Sequence, residues 1–183
     1  LRPDASGRFG FDPDDLRAAV SPRTRLVLLN TPHNPTGSVF TRAELESIAS
    51  LCLEHDLTVV ADEVYEHLTY DGTTHLPIAS LAGMRERCVA ISSAGKSFSV
   101  TGWKIGWVCA PEPMVRAINT VKQFLTYTHN PAMQQAVAYA LGNELAWVEA
   151  LRSSLTDARD RLATGLEQVG LRVTRPQGTY FIQ

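Results

Sequence analysis

The chain has 183 residues, 44% hydrophobic and 20% charged, with a net charge of −2, which is enough for a sizeable core and gives no electrostatic ground for nucleic acid or an anionic membrane as partner. No apolar run reaches the length of a membrane span, and the first residues lack the apolar stretch of a signal peptide. Cys52, Cys88 and Cys109 lie far apart in apolar surroundings with no CxxC pair, the pattern of reduced core thiols in a cytoplasmic protein rather than of disulfides.

In chain order, Asp12-Pro13-Asp14-Asp15 starts a short helix to about Val20, and residues 25–30 (RLVLLN) form an apolar run of strand type. The turn Thr31-Pro32-His33-Asn34-Pro35-Thr36-Gly37 closes that strand. Thr41-Arg42-Ala43-Glu44 then reads as a capping box opening a helix to about His55. Residues 57–61 are the next buried strand, ending at Asp62, followed by a short helical segment over 63–67. Residues 87–92 are a third strand and 104–110 a fourth. This alternation predicts an α/β fold, a mostly parallel sheet with helices on both faces.

From Pro111 onward the pattern turns helical. Met114, Ile118, Val121 and Leu125 share one helical face, and Pro131 opens a second helix at its favoured first position. Residues 145–169 read as a long third helix with its charges outward, closed by Gly170. Residues 171–173 and 179–182 read as strands of a new unit. His33, His55 and His75 have no evident partners and are expected at the surface or in loops.

In open α/β sheets ligands gather beyond the carboxyl ends of the strands. Three of these strand ends carry distinctive residues: Asn30 to Gly37, Asp62 to Tyr65, and Ser92 to Lys96. The first is either turn punctuation or a rigid two-proline loop, able to contain a cis bond, that holds the Asn34 amide as a fixed donor. Asp62 and Tyr65, three apart, share a face on a helical turn, or are a cap and a half-buried phenol. Lys96 stands among small residues between two apolar runs. It is either a solvated loop lysine or an amine whose pKa burial lowers, able to form a Schiff base with a carbonyl compound.

Two other chemistries fit poorly. Gly95-Lys96-Ser97 resembles the end of a phosphate-binding P-loop, but Ala90 stands where the motif needs its first glycine, and the residues after Lys96 run into a β-rich stretch instead of a helix. Asp62, Glu63, Glu66 and His67 lack a second histidine at ligand spacing, so no metal site is assigned.

Taken together, Asn34-Pro35-Thr36-Gly37, Asp62-Glu63-Val64-Tyr65, and Ser93-Ala94-Gly95-Lys96-Ser97-Phe98 with Thr101-Gly102-Trp103-Lys104-Ile105-Gly106-Trp107 resemble the pyridoxal-phosphate-dependent class I/II aminotransferases. Within these the chain is similar to the branch of N-succinyldiaminopimelate, kynurenine (glutamine K) and methionine aminotransferases. The likeness extends to the closing Gly178-Thr179-Tyr180-Phe181.

The resemblance implies an aspartate-aminotransferase-like large domain plus the start of a small α+β domain, divided as residues 1–145 and 146–183. It implies pyridoxal 5′-phosphate as cofactor, with Lys96 carrying its aldehyde as a Schiff base and shuttling the substrate proton. Asp62 would face the pyridine nitrogen, Tyr65 and Asn34 the ring's 3′ oxygen, and Ser93 and Lys104 the phosphate. Many class I enzymes have arginine where this chain has Lys104, so a point charge replaces a bidentate fork. His129 matches a position near the substrate side chain, often of the neighbouring subunit.

The family's glycine-containing phosphate loop, ring-stacking aromatic and carboxylate-binding arginine would lie before Leu1 and after Gln183. The chain is therefore expected to be a fragment, inactive alone. The implied activity is transfer of an amino group between an amino acid and a 2-oxo acid or aldehyde, in a cytoplasmic homodimer. A C–S lyase or decarboxylase on the same fold, or a non-catalytic cofactor-binding regulator domain, are the alternatives.

Overall fold

Residues 1–183 are described by a computed structural model. A short antiparallel ribbon, β1 (Arg2–Pro3) and β2 (Phe9–Gly10), leads into helix α1 (Pro13–Ala19). The central sheet begins with β3 (Leu26–Asn30), crosses over through helix α2 (Arg42–Glu54) and continues with β4 (Thr58–Asp62) and β5 (Cys88–Ser93), all three parallel. A one-turn helix α3 (Ala94–Ser97) and a 3-10 turn (Thr101–Trp103) reverse the chain, so that β6 (Gly106–Cys109) lies antiparallel on the edge beside β5. Helices α4 (Glu112–Leu125), α5 (Pro131–Asn143) and α6 (Leu145–Gln168) follow.

The crossover is locally encoded. The Thr41 hydroxyl accepts from the Glu44 N–H at 3.3 Å and the Glu44 carboxylate accepts from the Thr41 N–H at 2.7 Å, satisfying two donors that the first helical turn leaves open. Arg8 holds the same carboxylate at 2.6 Å. Alternate residues of β4, Val59 and Ala61, are fully buried and meet Leu45, Ile48 and Cys52 of α2 in the main core. Each large aliphatic side chain so buried contributes about 1.5–3 kcal/mol. A smaller cluster of Ala94, Ile105 and Val137 ties α3 and the approach to β6 to α5. On β3 the other pleat is open, with Leu28 74% exposed.

Several expectations are corrected. Residues 63–67 form turns and not a helix: the bonds there run three residues back, Glu66 N–H to Glu63 O and Leu68 N–H to Tyr65 O. The fourth strand starts only at Gly106, because Lys104 adopts a left-handed conformation (φ 57°) that ends the preceding 3-10 turn. Residues 171–173 and 179–182 form no strands. The Gln177 and Gly178 N–H groups both donate to Gly37 O and Thr179 N–H to Leu68 O, leaving a single bridge, Thr69 to Gly178. Cys52 and Cys88 are buried thiols, pushed by burial up to about 11 and about 12, but Cys109 is exposed on the edge strand. His75 is no surface residue; its side chain is 3% exposed. Helix α4 forms as expected; on its apolar face Met114 and Ile118 are half-buried, but Val121 and Leu125 are exposed.

Candidate active site

The carboxyl ends of the three parallel strands are in register, with Asn30 opposite Asp62 and Asp62 opposite Ile91, two residues before Ser93 closes β5. The Asn30 side chain joins the first two ends: its Nδ2 donates to Asp62 O at 3.0 Å and its Oδ1 accepts from the Asn34 N–H at 2.8 Å. The Asn34 loop is thereby fixed to the end of β4. Two cis peptide bonds, Thr31-Pro32 and Asn34-Pro35, shape that loop, and the Asn34 side chain is exposed.

Asp62 accepts from the Val64 N–H at 3.3 Å, an Asx turn that sets the direction of the chain toward Tyr65. Tyr65 is 1% exposed, and its hydroxyl has no hydrogen-bond partner. Burial foremost, then the neighbouring Tyr180 and the Asp62 carboxylate, push that phenol well above the ordinary tyrosine value. A buried polar atom without a partner is rare enough to need a reason.

Lys96 projects into the same corner. Its Nζ donates to the Tyr180 hydroxyl at 2.8 Å and stands 5.6 and 5.4 Å from the ring centroids of Tyr65 and Tyr180, which meet edge to face at 5.3 Å. Burial pushes the Tyr180 phenol up, but the Lys96 ammonium bonded to it and the Tyr65 hydroxyl beside it together outweigh burial and hold it below the usual tyrosine value. Ser93 caps α3, accepting from the Gly95 N–H at 3.0 Å and donating to Ile105 O at 3.2 Å. Lys104, next to Ile105 in sequence, is exposed at that turn.

The structure places the expected Asn34, Asp62, Tyr65, Ser93 and Lys96 at or just beyond the carboxyl ends of adjacent strands, with Lys104 on the turn that follows. It does not bring in His129, which lines a cleft of about 370 Å³ with Gly106, Trp107, Lys122 and Gln134 that none of the other six candidates shares. A wider groove of about 760 Å³, between Pro77, Cys88, Cys109 and Pro111, opens at the amino end of β5, away from this chemistry. Tyr180 and the Asn30 amide were missed as site residues. The aromatic pair after Gly178-Thr179 was the signal for the first; the second, one polar residue ending an apolar strand, gave a weaker one.

The model of the family described as aminotransferase class I and II matches residues 2–182, and the chain belongs to that family. It is 50% identical over 182 residues to the probable N-succinyldiaminopimelate aminotransferase DapC of Mycobacterium tuberculosis, covering 100% of this chain and 46% of that protein. To kynurenine–oxoglutarate transaminase 3 of Mus musculus it is 44% identical over 184 residues, covering 97% and 40%. The solved structure of the Mycobacterium tuberculosis N-succinyldiaminopimelate aminotransferase superposes with a TM-score of 0.96 at 50% identity, covering 98% of this chain and 47% of that one. The chain thus spans about half the length of the relatives it matches. Its fold is aspartate-aminotransferase-like.

The cofactor of this family is pyridoxal 5′-phosphate, and the residues present fit it. The unpartnered Tyr65 hydroxyl faces the corner that holds Lys96. A carboxylate at the neighbouring strand end, an exposed amide, and a hydroxyl and an ammonium flanking one turn supply the anionic, donor and cationic contacts that a protonated pyridine, a ring oxygen and a phosphate require.

Proposed function

We propose that the protein to which these residues belong is a pyridoxal-phosphate-dependent aminotransferase moving an amino group between an amino acid and a 2-oxo acid or aldehyde. The carrying observation is the Lys96 amine held against two tyrosines beyond the carboxyl end of a parallel sheet, one of them with an unsatisfied buried hydroxyl.

When bound, the cofactor supplies an aldehyde carbon that accepts the amino group and a ring that takes up the electron pair left by the substrate α-proton. Lys96 would hold it covalently through Nζ and, once released, carry that proton as general base and then acid. The Asp62 carboxylate would keep the ring nitrogen protonated, an anion favouring the charged form of a nearby base. The Tyr65 hydroxyl and the Asn34 amide would donate to the ring oxygen. Ser93, its single O–H turned away from Ile105 O, would donate to the phosphate and Lys104 would add a point charge. His129 would reach the substrate side chain from its own cleft or across a subunit boundary. In this reading residues 1–145 belong to the large domain and 146–183 lead into a small one, in a cytoplasmic homodimer.

The relatives favour an amino donor like that of N-succinyldiaminopimelate aminotransferase, a role in lysine biosynthesis, with kynurenine-type donors second. No helix of the chain is long and apolar enough to cross a membrane. The test is borohydride reduction of the full-length protein loaded with cofactor, followed by peptide mapping and by spectral titration with a panel of amino donors. Attachment at Lys96 and conversion by the succinylated donor are expected. Attachment at another residue would sink the assignment.

A further inference from the structure

Tyr180 belongs to a segment that crosses the strand ends and is pinned along its length. The Gln177 and Gly178 N–H groups donate to Gly37 O at 2.9 Å each, Tyr70 N–H donates to Gln177 O at 2.8 Å, and Thr179 N–H donates to Leu68 O at 2.9 Å. Arg159 from α6 donates to Pro176 O at 3.2 Å, and the Tyr70 hydroxyl donates to Thr179 O. A Cβ at Gly178 would stand 2.9 Å from Leu68 O and 3.0 Å from Pro32 Cβ, so the segment cannot be lifted to admit a side chain there. The position of the Tyr180 backbone is therefore set by the loops after β3 and β4, the same loops that carry Asn34 and Tyr65.

Lys96 arrives from the opposite side, on α3. Its amine has three donors, and the structure gives it one hydrogen bond, to Tyr180. The remaining surroundings are the two phenol rings, whose faces attract a cation. A lysine on a four-carbon stem has many rotamers open to it; this contact selects one. We propose that Tyr180 is a positioning residue for Lys96: its hydroxyl seats the ε-nitrogen, whenever that nitrogen carries no covalent partner, between the Tyr65 and Tyr180 rings. The proposal rests on the reading of Lys96 as the cofactor lysine and deepens it, since an amine that alternates between bonded and released states needs a defined place to be released to.

The titratable and charged groups around Tyr180 are few. Lys96 faces it from α3 and Tyr65 from the turn after β4, with Asp62 acting on Tyr65 from the strand end. Arg159 of α6 lines the cavity behind it, its guanidinium engaged by Asp71 and Asp160.

The test uses the full-length protein freed of cofactor, so that it reads the amine itself. Reductive methylation, followed by peptide mass spectrometry, compares Lys96 with Lys104 and Lys122 in wild type and Tyr180→Phe. Removing the phenol oxygen takes away a charge-assisted hydrogen bond, so Lys96 should be methylated about tenfold faster, with Lys104 and Lys122 unchanged. An unchanged Lys96 rate overturns the proposal. A second readout is an ultraviolet phenol titration of wild type, Tyr180→Phe and Lys96→Met. The lowest-titrating tyrosine should vanish in the first variant and move upward in the second; its persistence in both overturns the proposal, and the Lys96→Met arm still decides if Tyr180→Phe does not fold. Borohydride mapping separates the two levels: cofactor found at Lys96 with an unchanged methylation rate refutes the role of Tyr180 alone, whereas cofactor found elsewhere refutes the underlying reading.

Discussion

The His75 imidazole and the Glu63 carboxylate face each other 3.5 Å apart with side chains only 3% and 5% exposed. The same Glu63 oxygen accepts the Ile78 N–H at 3.2 Å, and neither ring nitrogen of His75 makes a hydrogen bond. Glu63 lies between Asp62 and Tyr65, so this buried contact anchors from below the turn that aims both at the corner of Lys96.

Replacing Glu63 by alanine leaves the Ile78 N–H without an acceptor and His75 without the carboxylate it faces. The expected cost is about 2–4 kcal/mol, measured by chemical denaturation. Because the two residues interact, Glu63→Ala with His75→Ala should destabilise by less than the sum of the single changes. Strict additivity, or a wild-type midpoint for Glu63→Ala, would show that the contact contributes nothing.

Gly37 has φ +68°, and a Cβ there would stand 2.1 Å from Pro176 Cβ and 2.8 Å from Gly178 O. Left-handed backbone costs other residues about 1–2 kcal/mol, and this clash lies against backbone and a proline ring, which have little freedom to move. Gly37→Ala should therefore lower stability by clearly more than 2 kcal/mol in thermal or urea unfolding, while Gly102→Ala, with nothing within 4 Å, stays close to wild type. Equal effects at the two positions would contradict the close approach of the loop after β3 to the segment around Pro176.

Arg159, 7% exposed in its side chain, donates to both Asp71 oxygens, at 2.7 and 3.0 Å, and lies over the Tyr70 ring. The Arg159 hydrogen bond is the main reason the Asp71 carboxyl sits below its ordinary value of 3.8, against the opposing effect of burial. A carboxyl depressed in the folded state stabilises it at pH above the unfolded value and loses that contribution as pH falls through the folded one. Asp71→Asn should thus weaken the protein above about pH 4 and flatten the acid limb of its stability curve below that. Asp71 is 65% exposed and can be resolvated, so Arg159→Met should cost only about 1–2 kcal/mol. It should also hasten proteolysis around residues 174–178, and no change in cleavage there would argue against the clamp.

What the sequence shows and what it hides follow from range. The capping box at Thr41, the strands ending at Asn30 and Asp62, and Pro131 at a helix start are set by neighbours in the chain, and each forms within a residue or two of expectation. The failures are contacts across long separations. Residues 179–182 have the composition of a strand, but the Thr179 N–H donates to the loop carbonyl of Leu68 and the Phe181 N–H turns back to the Thr179 hydroxyl instead of meeting a sheet edge. His75 has no partner nearby in sequence, and only the folding of the 63–78 segment back on itself brings it to Glu63. Lys96 and Tyr180, 84 residues apart, meet for the same reason. Motif order pointed to the Lys96 corner, but it could not supply the second wall of that corner.

Asp62 offers the sharpest separation of charge from shape. Asparagine has the same size and can still accept the Val64 N–H bond that holds the turn, so Asp62→Asn should keep the fold and leave Tyr65 in place. Only the negative charge proposed to keep the ring nitrogen protonated is removed. The loaded full-length protein should still retain cofactor at Lys96 after borohydride reduction. Amino-group transfer should slow about 10- to 100-fold, the equivalent of a charge-assisted hydrogen bond lost in the transition state. The loss should fall on kcat more than on KM, because the charge matters most when electrons enter the ring. Lys96→Ala, in contrast, should lose covalent attachment altogether. An Asp62→Asn protein with an unchanged kcat would place the carboxylate away from the ring nitrogen and reduce Asp62 to the structural role its Asx turn already gives it.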